Sequence, residues 1–249
     1  MTNKWILAPA IRCVEFVAEE AKIGGLLQRA LVHIEMGEPL FRLTQQIFQQ
    51  HGNSDAVAAI ELLLQQAPYH EEWARQLRES EYAPINAHAV TAIWGALETC
   101  IEDTIVAILA NDPTAQTTIE LIGVKRKSDQ LSGADDQQRR NLYNTLENKL
   151  RVVGDVVKTY ENVLGVFGLS AATTNGHTTL LELNAVRNCI VHRGGIVDAK
   201  AVREAPCLSA YFGTEIKISR ADFERYHQAV SDWVVALSAS ISASRFASQ

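Results

Sequence analysis

The chain is expected to be all-α: a helical bundle with an N-terminal helical extension and one short strand-like segment before the last helix. Three observations carry that reading. Apolar residues recur at intervals of three and four along most of the chain. Gly, Asn-Asp-Pro and Gly-Gly sequences punctuate the periodic stretches as helix stops. One segment only, residues 215–219, alternates with the two-residue period of a strand.

Taken in order, residues 1–80 form the extension, divided into helical pieces by Gly24-Gly25, by Gly37 to Pro39 and by His51 to Ser54. The clearest pieces are residues 40–50 and 55–66. Residues 81–249 form the main helical domain. Its strongest helix spans 88–110, where Val90, Ile93, Trp94, Leu97, Ile101, Thr104, Ile105 and Ile108 make one stripe that stops at Asn111-Asp112-Pro113. Residues 128–134, polar and containing Gly133, read as a loop. A second long helix is expected over 135–164, with Leu142, Leu146, Leu150, Val153, Val157 and Tyr160 as its seam.

A turn-rich stretch over 165–176 leads to a helix that starts with Thr178 or Thr179 as N-cap and buries Leu180, Leu183, Val186 and Ile190. The strand-like segment follows, and then Ser219-x-x-Asp222 opens the final helix as a capping box. That helix carries Phe223, Tyr226, Val230, Trp233, Val234, Leu237 and Ile241 on its apolar face. Residues 242–249 read as a frayed tail.

Composition narrows the class. Of 249 residues, 47% are hydrophobic and 21% charged, the balance of a soluble globular protein rather than a disordered one. No apolar run approaches the length of a bilayer span, and the first residues lack a signal-peptide core, so no membrane association and a cytoplasmic location are expected. Cys13, Cys100, Cys189 and Cys207 are scattered, which predicts buried free thiols and no zinc site; no metal or cofactor is implied. A net charge of −6 speaks against a protein that coats nucleic acid. Lys125-Arg126-Lys127 and Arg139-Arg140 are the basic runs; a solvated loop and helix start explains them more economically than phosphate contact.

The chemistry concentrates in Glu182-Leu-Asn-Ala-Val-Arg187-Asn188-Cys-Ile-Val-His192-Arg-Gly194-Gly195. On a helix Asn188 and His192 are i and i+4 and share a face, while Arg187 lies about 140° from His192 with a side chain long enough to swing toward it. Gly194 is suited to terminate the helix, which leaves His192 at the negative end of the helix dipole. Spacing alone is weak evidence, because an Arg and a later His with four to six residues between them arise about once by chance in such a chain. Arg220 and His227 are such a second pair, two turns apart with no amide beside the Arg, and read as a solvated helix face. The adjacent Asn, the apolar helix and the Gly-Gly stop distinguish the first pair.

In that context the segment resembles the HEPN superfamily of all-helical domains, whose ribonuclease members carry Arg, a polar residue and then His. Here the matching residues are Arg187, Asn188 and His192, with four residues between the Arg and the His. The resemblance covers roughly residues 85–245, about two-thirds of the chain. It departs where HEPN toxins paired with a nucleotidyltransferase antitoxin often have Tyr two residues after the His, because that position is Gly194. The resemblance implies an HEPN-like bundle, an RNA substrate, a homodimer whose two motifs face each other across a cleft, and a toxin or defence effector held by an antitoxin or another defence protein.

Those residue types suit metal-independent RNA cleavage. The 2′-OH is the nucleophile, His moves protons near neutral pH, and the planar guanidinium of Arg matches phosphate oxygens. Asn188 can bond the phosphate or orient the His. Bland readings stand beside these: His192 as a dipole partner, Arg187 paired with Glu182 or Glu224, and Asn188 as a cap. Glu98 and Glu102 are either polar partners of the motif or a solvated face. His33, His51, His70, His88 and His177 receive no role. The alternative functions are a catalytically silent HEPN module that binds RNA, a nucleotide or a protein, and a purely structural helical subunit.

Overall fold

The stripe expected over residues 88–108 is the axis on which the protein is assembled. Its helix is α4 (Ala83–Asn111), in which Val90, Ile93, Trp94, Ile101, Ile105 and Ile108 are wholly buried. The computed structural model describes residues 4–124, 136–173 and 176–247, and among them ten α-helices make an all-α protein. No described helix is long and apolar enough to cross a membrane.

The N-terminal helix α1 (Lys4–Glu35) runs unbroken through Gly24-Gly25, where the sequence pattern implied a break. Ile6, Ala10, Cys13 and Val17 recur at helical spacing and pack into the same apolar cluster as α4. That burial outweighs the cost of about 1 kcal/mol that each interior Gly adds. The helices α2 (Gly37–Gln50) and α3 (Ser54–Glu79) pack mainly on each other and on α1. Asn53 caps α3 by accepting a hydrogen bond from the Ala56 N–H at 3.1 Å. A small separate cluster of Leu31, Ala74 and Leu77 anchors this end, while Leu40, Leu43, Leu62 and Tyr69 remain exposed. Glu81 and Tyr82, both with positive φ, turn the chain from α3 into α4, and Pro84 sits in the first turn of α4.

After the short α5 (Ala115–Leu121), the long helix expected over 135–164 is instead two. These are α6 (Asp136–Leu150) and α7 (Val156–Val166). Gly154 takes a φ of +80°, which a helix cannot contain, and Asp155 caps α7 by accepting from the Lys158 N–H at 2.8 Å. Val153, placed by periodicity in the apolar seam, is in the turn and 95% exposed. Residues 125–127 and the loop expected over 128–134 lie outside the described residues. Arg140 is described, and it is committed to Glu102, Asp103 and Asp136 rather than available to a phosphate.

The motif helix α8 (Gly176–Arg193) begins before Thr178 and Thr179, so neither is its cap. Beyond it lie α9 (Ala199–Glu204), a 3-10 turn over Pro206–Tyr211, and α10 (Arg220–Ala243). The segment at 215–219 is extended but is not a strand. Only isolated bridges, Ile196 to Glu215 and Val197 to Phe212, touch it or its neighbourhood. Its alternation arises because Ile216 and Ile218 are pressed into the helical core while Lys217 faces out. The capping box at Ser219 and Asp222 forms as its residues dictate.

Of the tail expected to fray over 242–249, the part through residue 246 is anchored, and residues 248–249 lie outside the described residues. Phe246 is fully buried beside the Trp5 ring, and Arg245 donates to Asp112 at 2.7 Å. Cys13, Cys100 and Cys189 are buried free thiols, but Cys207 is exposed, on the 3-10 turn beside Glu182.

Candidate functional site at the end of the motif helix

The site is built by the way α8 stops. Gly194 and Gly195 both take positive φ, and the Gly195 N–H returns to the Cys189 carbonyl at 2.9 Å, six residues back. The Gly195 carbonyl then accepts from the Ile216 N–H at 2.9 Å, so the glycine pair also docks the extended segment. A side chain at Gly195 would press on Glu215, its Cβ 3.1 Å from Cγ. Arg193 pairs with Asp198, which caps α9 by accepting from the Ala201 N–H at 2.9 Å. The two helices are thereby fixed at one end, and Lys200 and Glu204 of α9 are brought beside Arg187 and Asn188 of α8.

Between α4, α6, α7, α8 and α9 lies a polar cleft of about 270 Å³. Arg187, Asn188 and Asn184 form its α8 wall, Glu98 its α4 wall, and Glu147, Arg151 and Asp155 the side contributed by α6 and the turn into α7. The Arg187 guanidinium is held from two directions. Its Nη1 donates to Asn188 Oδ1 at 3.0 Å, and its Nη2 lies 3.6 Å from Glu98 Oε2. Glu98 is held in turn by the Tyr160 hydroxyl, which donates to Oε1 at 3.2 Å. Asn188 Nδ2 donates to Asn184 Oδ1 at 3.4 Å. The buried Nε of Arg187 has no hydrogen-bond partner among the described residues.

The three motif residues do not share one wall. Arg187 and Asn188 line the cleft, whereas His192, one turn further along α8, is exposed and is not part of the lining. Val191, next to His192 in the chain, is exposed, as are Ile196 and Phe212 in the segments that follow α8. Neither Glu182 nor Glu224 pairs with Arg187. Glu182 takes Arg225 and Tyr226, and Glu224 takes Arg220. Of the two acids proposed as partners on α4, Glu98 meets the motif and Glu102 meets Arg140.

Sequence reasoning missed Glu147. Burial raises its carboxyl above the ordinary carboxylate range, Glu98 pushes the same way, and Arg151 opposes. Burial likewise raises Tyr143 and Tyr160 and keeps both as neutral phenols. His177, given no role from sequence, has Nε2 3.0 Å from Asp155 Oδ2 and Nδ1 3.6 Å from Glu161 Oε1. No periodic signal announces these convergences, because they join residues on different helices.

The second Arg/His pair, Arg220 and His227, also departs from a solvated face. Arg220 is exposed and paired with Glu224, but His227 packs on Phe223 with a buried Nε2 that has no partner among the described residues. Both line a separate hollow of about 340 Å³ over Gly24-Gly25. A larger groove of about 450 Å³ between α1 and α4 contains no motif residue. Among the described residues no three His, Cys, Asp or Glu side chains converge as a metal site.

The site thus belongs to an all-α protein with an Arg-Asn pair facing a polar cleft and an exposed His at the mouth of the same helix. No family model, curated protein or solved structure matches the chain.

Proposed function

We propose that the chain is a metal-independent endoribonuclease of the HEPN type, acting as a dimer and serving as a toxin or defence effector under a partner protein's control. The observation that carries this reading is the placement of the motif. Arg187 and Asn188 face a polar cleft that also contains Arg151 and Lys200, while His192 stands free at the surface one turn on.

An RNA phosphodiester fits such a cleft through the fork of Arg187, a geometry suited to a phosphate and to the more highly charged phosphorane. The 2′-OH attacks phosphorus, the bond to the 5′ oxygen breaks, and a 2′,3′-cyclic phosphate remains. His192 is suited to take the 2′-OH proton, but it lies outside the cleft of its own chain. A second copy related by a two-fold axis supplies it. Exposed Val191, beside His192 in the chain, and exposed Ile196 and Phe212 in the segments after α8 give that copy apolar side chains to cover.

A second reading, a catalytically silent HEPN module that binds RNA or a nucleotide, is favoured by one specific feature. Arg187 is already engaged by Glu98 and Asn188. Incubation with mixed single-stranded RNA and matched DNA, with and without excess chelator, separates the two. The ribonuclease reading requires chelator-resistant cutting of RNA alone, leaving cyclic phosphate ends. RNA binding without cutting sustains the second reading, and chelator-sensitive or DNA cutting removes the first.

A further inference from the structure

The cleft lining carries four carboxyls against three cationic side chains. Glu98, Glu147, Asp155 and Glu204 face it against Arg151, Arg187 and Lys200. Full ionisation would leave excess negative charge where a phosphodiester has to bind. Glu98 meets Arg187 and Tyr160, and Asp155 meets His177 and the first turn of α7. Glu204 meets Lys200 at 3.7 Å. Glu147 is the exception. It is half-buried and forms no ion pair within 4 Å among the described residues; burial and the Glu98 and Glu102 carboxylates favour its protonated form, against the opposing pull of Arg151 and of a hydrogen bond from the Tyr143 hydroxyl.

We propose that Glu147 is the general acid of this cleft, delivering its proton to the departing 5′ oxygen of an RNA phosphodiester held at Arg187. The inference rests on the ribonuclease reading above and deepens it, because it places the second proton-transfer group in the chain that holds the phosphate. As the bond from O2′ to phosphorus forms, the bond from phosphorus to O5′ breaks. The carboxyl proton of Glu147 passes to O5′, and the 2′-OH proton passes to the histidine base. Proton exchange with solvent restores both groups between turnovers. Burial already favours the protonated carboxyl, and an arriving phosphate adds negative charge that favours it further. His192 is then required only as base.

An RNA substrate with sulfur in place of the bridging 5′ oxygen tests the assignment, because a thiolate leaves without being protonated. Wild type and Glu147→Gln are compared on the ordinary and the sulfur-bridged substrate. Loss of a general acid predicts that Glu147→Gln slows ordinary cleavage about 10²-fold or more, while the sulfur-bridged substrate is cut at nearly the wild-type rate. Wild-type enzyme alone supplies a second readout that does not depend on how the variant folds. Its rate on the ordinary substrate falls on the alkaline side as the acid loses its proton, and that fall disappears with the sulfur leaving group. An unimpaired Glu147→Gln, an equal defect on both substrates, or an alkaline fall that persists with sulfur overturns the role of Glu147 alone. Wild type that cuts neither substrate overturns the ribonuclease reading as well.

Discussion

Arg187 of α8 faces Glu98 of α4 across the cleft, with Nη2 3.6 Å from Oε2. The contact aims the guanidinium across the cleft, and Tyr160 fixes the carboxylate that aims it. Glu98→Gln keeps the shape and removes the charge. We expect RNA cleavage to fall about tenfold, equivalent to about 1.4 kcal/mol, with the melting temperature almost unchanged. An unaltered rate would show that Arg187 is positioned without Glu98.

The exposed apolar residues of α8 and the segments that follow it give a test of assembly. Phe212 is 61% exposed and Val191 47% exposed. Phe212→Asp puts a charge into the surface that a second copy is proposed to cover, where it would be buried without a partner. Light scattering is expected to show a wild-type dimer and a monomeric variant, with RNA cleavage lost in the variant. A wild-type monomer at micromolar concentration that still cuts RNA contradicts the shared site.

The stripes of α4, α8 and α10 were legible in the sequence because each buries one continuous face. The same periodicity misled at residues 151–155, where Val153 fits the seam but Gly154 takes a positive φ and breaks the helix. It also suggested a strand at 215–219, since alternating burial does not distinguish pairing with a strand from packing on helices. Gly24-Gly25 looked like a stop because local propensity was not weighed against the burial of Ile6, Ala10, Cys13 and Val17 on α4. At the site, Arg187, Asn188 and His192 were visible as a local motif. Glu147, Tyr160 and Asp155 were not, because only tertiary packing brings them to Arg187.

Arg245 and Asp112 close the C-terminus onto the end of α4. The Asp112 side chain is 1% exposed, accepts from Arg245 at 2.7 Å, and also holds the Thr114 N–H and hydroxyl. Arg245→Ala leaves this buried acceptor short of its charged donor. A loss of about 1–3 kcal/mol is expected from denaturant unfolding, well above a typical surface change. A change below about 0.5 kcal/mol would mean that solvent replaces the arginine at no cost.

Glu182 predicts a pH dependence of stability. Burial alone would raise its carboxyl, but hydrogen bonds from Arg225 and Tyr226 outweigh burial and hold it below the ordinary value of 4.5. The folded state therefore binds fewer protons here than the unfolded one. Its contribution is present above the ordinary value and is lost as pH falls through the depressed folded value. Glu182→Gln is expected to destabilise the protein near pH 7 and to lose less stability than wild type on acidification from pH 5 to pH 3. Parallel stability curves for the two proteins would contradict that linkage.

The central claim is that Arg187 and His192 cut RNA, and cleavage of mixed single-stranded RNA by wild type, Arg187→Ala and His192→Ala tests it most directly. Arg220→Ala and His227→Ala run beside them as controls, and circular dichroism confirms that each variant is helical. Wild type and the control pair are expected to cut, while the two motif variants are inactive with unchanged helicity. Cleavage that survives in both motif variants and disappears in the control pair would contradict the account and move the active site to the hollow beside α10.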